Sequence, residues 1–234
     1  MAKKLLNGSE LAGFIKGRQA KQVRMLRQAH KIVPKLLIIQ SENASDVIST
    51  YVRMKQRYAA DILVETEVIS LAQSDMADAI KQANQDDSVH GIVLQLPLED
   101  PSHTEEIVNL IAPEKDVDGL GESAHYISAT AEAIDWLLSG YGVDLTGKHI
   151  ALLGRGKLVG RPLEKLWTSR GLDVTVLNKS SGDIQKALAT SQVIVSATGQ
   201  ARILNSDNVP QGAIVVDAGT VSEDGKIVGD SAEE

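Results

Sequence analysis

One apolar segment that runs into a glycine-rich turn constrains the fold of this chain more than any other feature. The segment 149–153 has the character of a buried strand, and Gly154, Gly156 and Gly160 follow it in a Gly-x-Gly-x-x-x-Gly pattern. A strand, a glycine turn and a helix form the unit that holds the pyrophosphate of a dinucleotide, because glycine lets backbone N–H groups approach the phosphates. The spacing is one residue longer than the common fingerprint, so an ordinary tight turn remains the alternative.

Apolar runs alternate with helical periodicity along the whole chain, which predicts an α/β fold with mostly parallel sheets. A second α/β series begins at Lys148, and the glycine-containing segment 119–128 predicts a crossing between two domains. We therefore assign domains 1–121 and 122–234. The predicted helices are 9–30 with Ser9 as N-cap, 46–60, 75–84, 104–111 and 130–139, and the predicted strands are 35–39, 62–64, 91–94, 149–153, 174–177, 193–196 and 213–217.

Composition narrows the class of protein. Hydrophobic residues make up 43% of the chain but aromatics only 3%, so the core consists mainly of Ile, Val, Leu and Ala, which suits buried parallel strands. The net charge of −7 argues against nucleic acid as a partner. Without cysteine, and with five scattered histidines, we expect no disulfide and no metal. No segment reads as a membrane span or signal peptide, so we expect a cytoplasmic protein without a membrane partner.

The residues after the second strand of the second series bear on the choice of cofactor. Enzymes that use NAD usually place Asp or Glu there to bind the ribose 2′-hydroxyl. This chain has Asn178-Lys179-Ser180-Ser181 instead. Lys179 and Ser180, together with Arg155, suit a 2′-phosphate through charge-assisted hydrogen bonds. The sequence therefore favours NADP over NAD, with Lys179 as an ordinary solvated loop lysine the alternative.

Three features of the first half could form a catalytic site. Tyr51 and Lys55 lie four residues apart, on one face of a predicted helix, and lysine is able to carry protons in catalysis. Gln95 follows the predicted strand 91–94, at the strand end where α/β proteins place ligands. Taken singly, the helix pair is more typical of a surface lysine above a core tyrosine, and a polar residue such as Gln95 also occurs wherever a strand exits to solvent.

Two carboxylates lie in the tight segment Pro113-Glu-Lys-Asp116-Val-Asp118-Gly119. An aspartate next to glycine in a short loop is typical of an Asx turn. The same carboxylates would also suit the amino-pyrimidine edge of a pterin. The segment alone leaves both interpretations open.

The order of these motifs resembles the bifunctional methylenetetrahydrofolate dehydrogenase/cyclohydrolase family. The motifs are Tyr-x-x-x-Lys, Gln-Leu-Pro-Leu, Lys-Asp-Val-Asp-Gly and Gly-Arg-x-x-x-Val-Gly-x-Pro, followed by Asp217-Ala-Gly219 and the segment 225–230 ending in Gly229-Asp230. The resemblance extends over residues 5–230. It implies an N-terminal α/β catalytic domain and a C-terminal Rossmann-like NADP-binding domain with a cleft between them, and a homodimer.

The resemblance also implies the function and the site. The expected function is oxidation of 5,10-methylenetetrahydrofolate with NADP and hydrolysis of the product, within one-carbon metabolism and purine biosynthesis. Lys55 would be the central catalytic residue, held by Gln95, with Tyr51 against the folate and Asp118 on the pterin. Leu94 and Leu96 would add backbone contacts to the substrate. The implied cofactor residues are Gly154, Arg155, Gly156, Lys179, Ser180 and Thr220.

The sequence departs from the family pattern at three places. Only Thr130 remains of the usual Pro-Cys-Thr-Pro-x-Gly, and Gly156 replaces a serine. The family's final Pro-Gly-Gly-Val-Gly-Pro loop and helix are expected to be missing after Asp230. The alternatives are therefore a relative that binds folate or nucleotide without turnover, another NADP-dependent dehydrogenase, and a structural or interaction protein.

Overall fold

The computed structural model describes residues 4–178, 180–181, 184–223 and 226–232, and its chain forms two compact units. One unit is Asn7–Ala129, and the other is Thr130–Glu234 with Met1–Leu6. The stretch up to Ala129 belongs to the first unit because the backbone at Gly119 lies directly against Ile127 and Ser128. The assignment to domains 1–121 and 122–234 stays a prediction.

A parallel sheet forms the centre of the first unit. Its strands are β1 (Lys35–Ser41), β2 (Glu65–Leu71) and β3 (Gly91–Leu94), in the spatial order β2-β1-β3. Ile39 of β1 lies opposite Ile69 on one side and Leu94 on the other. Every residue of β3 is buried, as expected for a parallel strand covered on both faces.

The helices of this unit are α1 (Gly8–Met25), which continues into a short π-helix (Leu26–His30), α2 (Asp46–Asp61), α3 (Met76–Gln85) and α4 (Thr104–Val108). The prediction of Ser9 as N-cap is wrong, because Asn7 Oδ1 accepts a hydrogen bond from the Ser9 N–H at 3.0 Å and caps α1 itself. The prediction of a helix to residue 111 is also wrong. Leu110 and Ile111 donate to carbonyls three residues back, which makes a turn rather than α-helix.

The prediction of a strand at 62–64 is wrong, because these residues terminate α2. Leu63 adopts the left-handed conformation with φ 66°, its N–H donates to the Ala60 carbonyl at 3.1 Å, and Val64 N–H donates to the Ala59 carbonyl at 2.9 Å. This pair of bonds is a Schellman motif, which satisfies the last carbonyls of a helix. The apolar residues 62–64 thus form the C-terminal end of α2, and β2 starts only at Glu65.

A four-stranded parallel sheet forms the centre of the second unit. Its strands are β4 (His149–Leu153), β5 (Asp173–Leu177), β6 (Val193–Ser196) and β7 (Ile214–Asp217), in the spatial order β5-β4-β6-β7. An antiparallel hairpin, β8 (Val221–Glu223) and β9 (Lys226–Val228), follows. The strands predicted at 91–94, 149–153 and 193–196 are confirmed at both ends.

Helices cover both faces of this second sheet. They are α5 (Ala129–Gly140), α6 (Gly160–Ser169) and α7 (Ile184–Ala189). Successive residues of β4 point to opposite faces, so Leu152 packs in one apolar cluster with Trp167, and Leu153 packs in another with Leu188. This is the doubly wound arrangement in which ligands bind beyond the carboxyl ends of the strands. In the part of the chain that the structure describes, no helix is both long and apolar enough to cross a membrane.

Candidate active site

The structure brings together Lys55 and Gln95, which are far apart in sequence. Lys55 projects from α2 and Gln95 follows the last residue of β3, where its N–H donates to the Ile39 carbonyl at 2.8 Å and so prolongs the sheet. Lys55 Nζ donates to Gln95 Oε1 at 2.8 Å, and Gln95 Nε2 donates to the Leu96 carbonyl at 3.2 Å. The amide is therefore fixed from both ends, with its oxygen directed at the lysine.

The two carboxylates of the loop after α4 have different environments. Asp116 is only 2% exposed and accepts hydrogen bonds from the N–H groups of Gly119, at 3.0 Å, and Gly121, at 2.7 Å. Asp116 therefore makes the Asx-type turn. Gly119 has φ 65°, and a Cβ there would lie 2.6 Å from the backbone of Ile127 and Ser128, so this turn requires glycine.

Asp118 is the carboxylate that shares its surroundings with Lys55. Burial raises the pKa of Asp118, the positive charge of Lys55 lowers it, and the negative charge of Asp116 raises it, with a net upward shift. A carboxylate that is partly desolvated and lies near a lysine is typical of a functional site. The Asx-turn interpretation is therefore confirmed for Asp116, and pterin binding by Asp118 stays a prediction.

The remaining predicted substrate residues lie on the same elements. Tyr51 lies one turn before Lys55 on α2, and 41% of it is exposed, so its ring is accessible to a ligand. Leu94 is buried in the core of the first unit and Leu96 packs against that core, and their predicted backbone contacts to the substrate stay a prediction. The Leu96–Pro97 peptide bond is cis.

In the second unit, the glycine turn after β4 is closely packed at two of its three glycines. Gly154 has φ 91°, and a Cβ there would lie 2.5 Å from the Ala197 carbonyl oxygen. A Cβ on Gly160 would lie 2.2 Å from the Gly154 carbonyl oxygen, so these two positions require glycine for packing. Gly156 has no neighbour within 4 Å of an added Cβ, which leaves its backbone open to a ligand.

The other predicted cofactor residues are more dispersed. Arg155 Nε donates to Glu164 Oε2 of α6 at 2.7 Å, and 57% of the arginine side chain remains exposed. Ser180 lies in an exposed turn where its N–H donates to Asn178 Oδ1 at 2.9 Å, and Thr220 is exposed between β7 and β8. Lys179 lies outside the described residues, so its predicted phosphate contact stays a prediction.

The sequence interpretation missed the role of two aspartates. Asp217 ends β7 and accepts hydrogen bonds from the N–H groups of Gly219, Asp230 and Ser231 and from the Ser231 hydroxyl, at 2.7–3.1 Å. Burial raises the pKa of Asp217, but these hydrogen bonds outweigh it and the net shift is downward. Asp230 is fully buried beneath the loop after β6. Their places in the Asp-x-Gly and Gly-Asp motifs were visible, but the contact between the motifs was not.

The comparison with known families covers both units. Residues 6–118 match the catalytic domain of tetrahydrofolate dehydrogenase/cyclohydrolase, and residues 128–234 match the NAD(P)-binding domain of the same enzymes. The chain belongs to the tetrahydrofolate dehydrogenase/cyclohydrolase family. The predicted resemblance and fold class, an α/β catalytic domain followed by a Rossmann-like nucleotide-binding domain, are confirmed.

Individual members of the tetrahydrofolate dehydrogenase/cyclohydrolase family are similar over nearly the whole chain. The bifunctional protein FolD of Macrococcus caseolyticus is 35% identical, across 98% of this chain and 86% of its own length. The bifunctional FolD enzyme of Campylobacter jejuni superposes with a TM-score of 0.93 at 31% identity, across 98% of this chain and 86% of its own. The Trypanosoma brucei enzyme, described as complexed with NADP and an inhibitor, has a TM-score of 0.89 at 28% identity, across 99% and 86%.

Within the described ranges, no group of three or more His, Asp and Glu side chains is arranged to hold a metal ion. The side chains brought together in the first unit are Lys55, Gln95 and Asp118, and the second unit contributes the glycine turn.

Proposed function

We propose that this protein oxidises 5,10-methylenetetrahydrofolate to 5,10-methenyltetrahydrofolate with NADP and hydrolyses the product to 10-formyltetrahydrofolate. The observation that carries the proposal is the hydrogen bond of 2.8 Å between Lys55 Nζ and Gln95 Oε1, with Asp118 in the same environment. The first reaction removes a hydride from the methylene bridge and leaves a cation. The second adds water to that cation, opens the ring and releases one proton.

Proton transfer is the part of the chemistry that this chain's own side chains supply. Water loses one proton as it attacks the bridge carbon, the bond from that carbon to N5 then breaks, and the remaining hydroxyl proton moves to N5. Lys55 Nζ is the group proposed to carry these protons. Gln95 Oε1 holds the ammonium or amine in place and is neutral itself, so it accepts a hydrogen bond from either form.

Asp118 and Tyr51 are proposed to hold the folate. A pterin presents several N–H donors along its amino-pyrimidine edge, and a carboxylate accepts such donors in pairs. Asp118 is the carboxylate available for this role, since Asp116 is already used by the turn. The half-exposed ring of Tyr51 provides a face for the folate, and the backbone at Leu94 and Leu96 adds contacts.

The second unit fits a dinucleotide. A Cβ would fill the space at Gly154 but not at Gly156, so the turn is packed on one side and open on the other. We propose that Gly154, Arg155 and Gly156 hold the pyrophosphate and that Ser180, Lys179 and Thr220 line the rest of the site. NADP, when bound, accepts the hydride. The preference for NADP rests on the absence of an acidic residue at positions 178–181, directly after β5, and on the basic residues Arg155 and Lys179.

The proposal is tested by mixing purified protein with 5,10-methylenetetrahydrofolate and following methenyltetrahydrofolate absorbance, with NADP and NAD in parallel. Turnover with NADP and little with NAD supports the whole proposal. Turnover mainly with NAD contradicts the assignment of Lys179 and Arg155 to a 2′-phosphate. If neither cofactor gives turnover while nucleotide or folate binds, the protein is a binding relative without activity.

The role of Lys55 is tested with Lys55→Met in the hydrolysis of methenyltetrahydrofolate, which needs no nucleotide. We expect the rate to fall by a factor of at least about 100, the usual contribution of a positioned acid or base. Lys81→Met is the matched control, because Lys81 is an exposed lysine paired with Asp78 on the surface of α3. A Lys55→Met enzyme that hydrolyses at the control rate would contradict the assignment.

The proposed function extends to the oligomeric state of the enzyme, its location in the cell and its metabolic role. We propose a homodimer in the cytoplasm that supplies one-carbon units, including those used in purine biosynthesis. Family membership is the support for each of these statements. Light scattering on the purified protein tests the first of them, and the mass of a monomer, 25.1 kDa, would contradict it.

A further inference from the structure

The carboxylate of Asp230 is fully buried and accepts four hydrogen bonds from one short stretch of chain. Its Oδ2 accepts from Ser196 Oγ at 2.6 Å, from Thr198 N at 2.7 Å and from Thr198 Oγ1 at 2.8 Å. Its Oδ1 accepts from Gln200 N at 3.0 Å. A charged acceptor with four donors fixes the conformation of the residues that carry those donors. Asp230 therefore determines the path of the chain from the last residue of β6 to Gln200.

The same carboxylate lies against the turn after the neighbouring strand. A Cβ on Gly219 would lie 2.0 Å from Asp230 Oδ1, so the backbone before Thr220 packs directly on the carboxylate. Thr220 is one of the proposed cofactor residues. Asp230 thus contacts both the loop after β6 and the turn after β7, at adjacent carboxyl ends of the parallel sheet.

The position of these two loops in the sheet indicates which part of a dinucleotide they meet. The chain passes from β4 to β5 on one side and returns to β6 on the other side of β4, so the strand order reverses between β4 and β6. In doubly wound sheets a dinucleotide lies across this reversal, with one nucleotide on each side. The glycine turn and the residues after β5 lie on the side proposed for the adenosine 2′-phosphate. The loops after β6 and β7 lie on the side left for the nicotinamide nucleotide.

We infer that Asp230 is a positioning residue for the nicotinamide half of the cofactor. The inference rests on the proposed function, because it assumes that the second unit binds NADP. The carboxylate acts through Thr198, Gln200 and Gly219, and not by contact with the ligand. An amide in its place cannot accept all four hydrogen bonds, since its NH2 group would face a donor on one side or the other.

The test uses the full-length variant Asp230→Asn and two ligands, NADP and 2′,5′-ADP, with dissociation constants from calorimetry. 2′,5′-ADP carries the adenosine 2′-phosphate half of NADP and lacks the nicotinamide nucleotide. We expect NADP affinity to fall at least tenfold while 2′,5′-ADP affinity stays within twofold. Hydrolysis of methenyltetrahydrofolate, assigned to the other unit, is expected to stay at the wild-type rate.

Two further variants keep the test decisive. Thr198→Val removes a single donor to Asp230 and is expected to give a smaller loss of NADP affinity with the same ligand pattern, even if Asp230→Asn does not fold. Asp207→Asn, at an exposed aspartate of the same unit, is the matched control and is expected to bind both ligands as wild type does.

The outcomes separate this inference from the proposed function. Equal losses for NADP and 2′,5′-ADP would show a general structural role and overturn the inference. NADP affinity within twofold of wild type in both Asp230→Asn and Thr198→Val would overturn it as well. A wild-type protein that binds neither NADP nor 2′,5′-ADP would instead overturn the proposed function, and the inference with it.

Discussion

The surroundings of Asp118 raise its pKa above the ordinary value of an aspartate. The pKa of this residue is raised in the folded protein, mainly by burial, so the folded state binds its proton more tightly than the unfolded chain does. By linkage, the stabilisation from this group is fully present below the unfolded pKa, about 3.9, and is lost as pH rises through the folded pKa. The ionised carboxylate, the form proposed to bind a pterin, is therefore maintained at a cost in stability.

Replacement of Asp118 by asparagine removes this titration. As pH rises from about 4 through the folded pKa, wild type loses stability at this site and Asp118→Asn does not. We therefore expect the unfolding free energy of Asp118→Asn to increase relative to that of wild type, as measured by urea denaturation between pH 4 and 8. Folate affinity is expected to fall at least about tenfold, because hydrogen bonds to a charged group contribute about 1.5–3 kcal/mol.

Asp118→Glu keeps the charge and serves as the control for this pH dependence. The unfolding free energy of Asp118→Glu is expected to depend on pH much as that of wild type does, unlike that of the asparagine variant. A gain for Asp118→Asn that shrinks as pH rises would show that the carboxylate is stabilised, not destabilised, by its surroundings.

How far individual site residues are predictable from sequence depends on how local their partners are. The Asp116 turn closes within five residues and was one of the two interpretations of its loop. Lys55 and Gln95 are 40 positions apart, and only the order of several motifs indicated that they meet. Asp230 is part of a sequence motif, but its function was missed because its partners Ser196 and Thr198 are 34 and 32 positions away.

Strands and helices were predicted best where an apolar run has glycine or proline at its limits. The buried strands β3, which begins at Gly91, and β4, which Gly154 follows, are of this kind and were confirmed at both ends. The strand prediction at 62–64 was wrong because an apolar run is also compatible with a helix terminus. Nothing in the sequence indicates that Leu63 adopts the left-handed conformation. The α1 cap was misplaced by two residues since asparagine and serine are equally good N-caps.

The packing of α5 on α6 depends on one buried carboxylate. Asp135 Oδ1 accepts from Trp167 Nε1 at 2.9 Å and from Arg170 Nη1 at 2.8 Å. In Asp135→Ala the indole N–H stays buried without its acceptor, while the half-exposed Arg170 is able to regain water. We expect a loss of about 2–3 kcal/mol in unfolding free energy by urea denaturation.

Asp135→Asn is the matched variant for this prediction. It keeps an acceptor for the Trp167 indole and loses the charge, so its loss is expected to be about half as large. If Asp135→Ala costs less than about 0.5 kcal/mol, the network does not hold the two helices together.

The β8–β9 hairpin is attached to the sheet through Gly229. A Cβ at this position would lie 2.1 Å from Asp217 Oδ2, whereas a Cβ on Gly156 has no neighbour within 4 Å. We expect Gly229→Ala to destabilise the protein by about 1–3 kcal/mol, as overpacking does, in thermal or urea denaturation. Gly156→Ala is expected to leave stability within about 0.5 kcal/mol and to weaken NADP binding. Equal stability of the two variants would contradict the packing at Gly229.

On the scale of the whole molecule, each proposed ligand is expected to stabilise the protein that binds it. At a free concentration 100 times its dissociation constant, a ligand that binds only the folded state adds about 2.7 kcal/mol to the unfolding free energy. NADP should therefore raise the midpoint of thermal unfolding, and folate should do so for wild type but less for Asp118→Asn. A midpoint that NADP does not move would contradict nucleotide binding by the second unit.

Asp217 packs against Gly229, the residue before Asp230, and Asp230 packs against Gly219, two residues after Asp217. A side chain added at either glycine meets a carboxylate, and a carboxylate removed leaves several donors without an acceptor. The four positions are therefore strongly epistatic: the effect of changing one depends on the state of the others. A single replacement at any of the four positions is therefore expected to cost stability, and a change at the partner position is expected to alter that cost, so the Asp-Ala-Gly and Gly-Asp segments constrain each other's evolution.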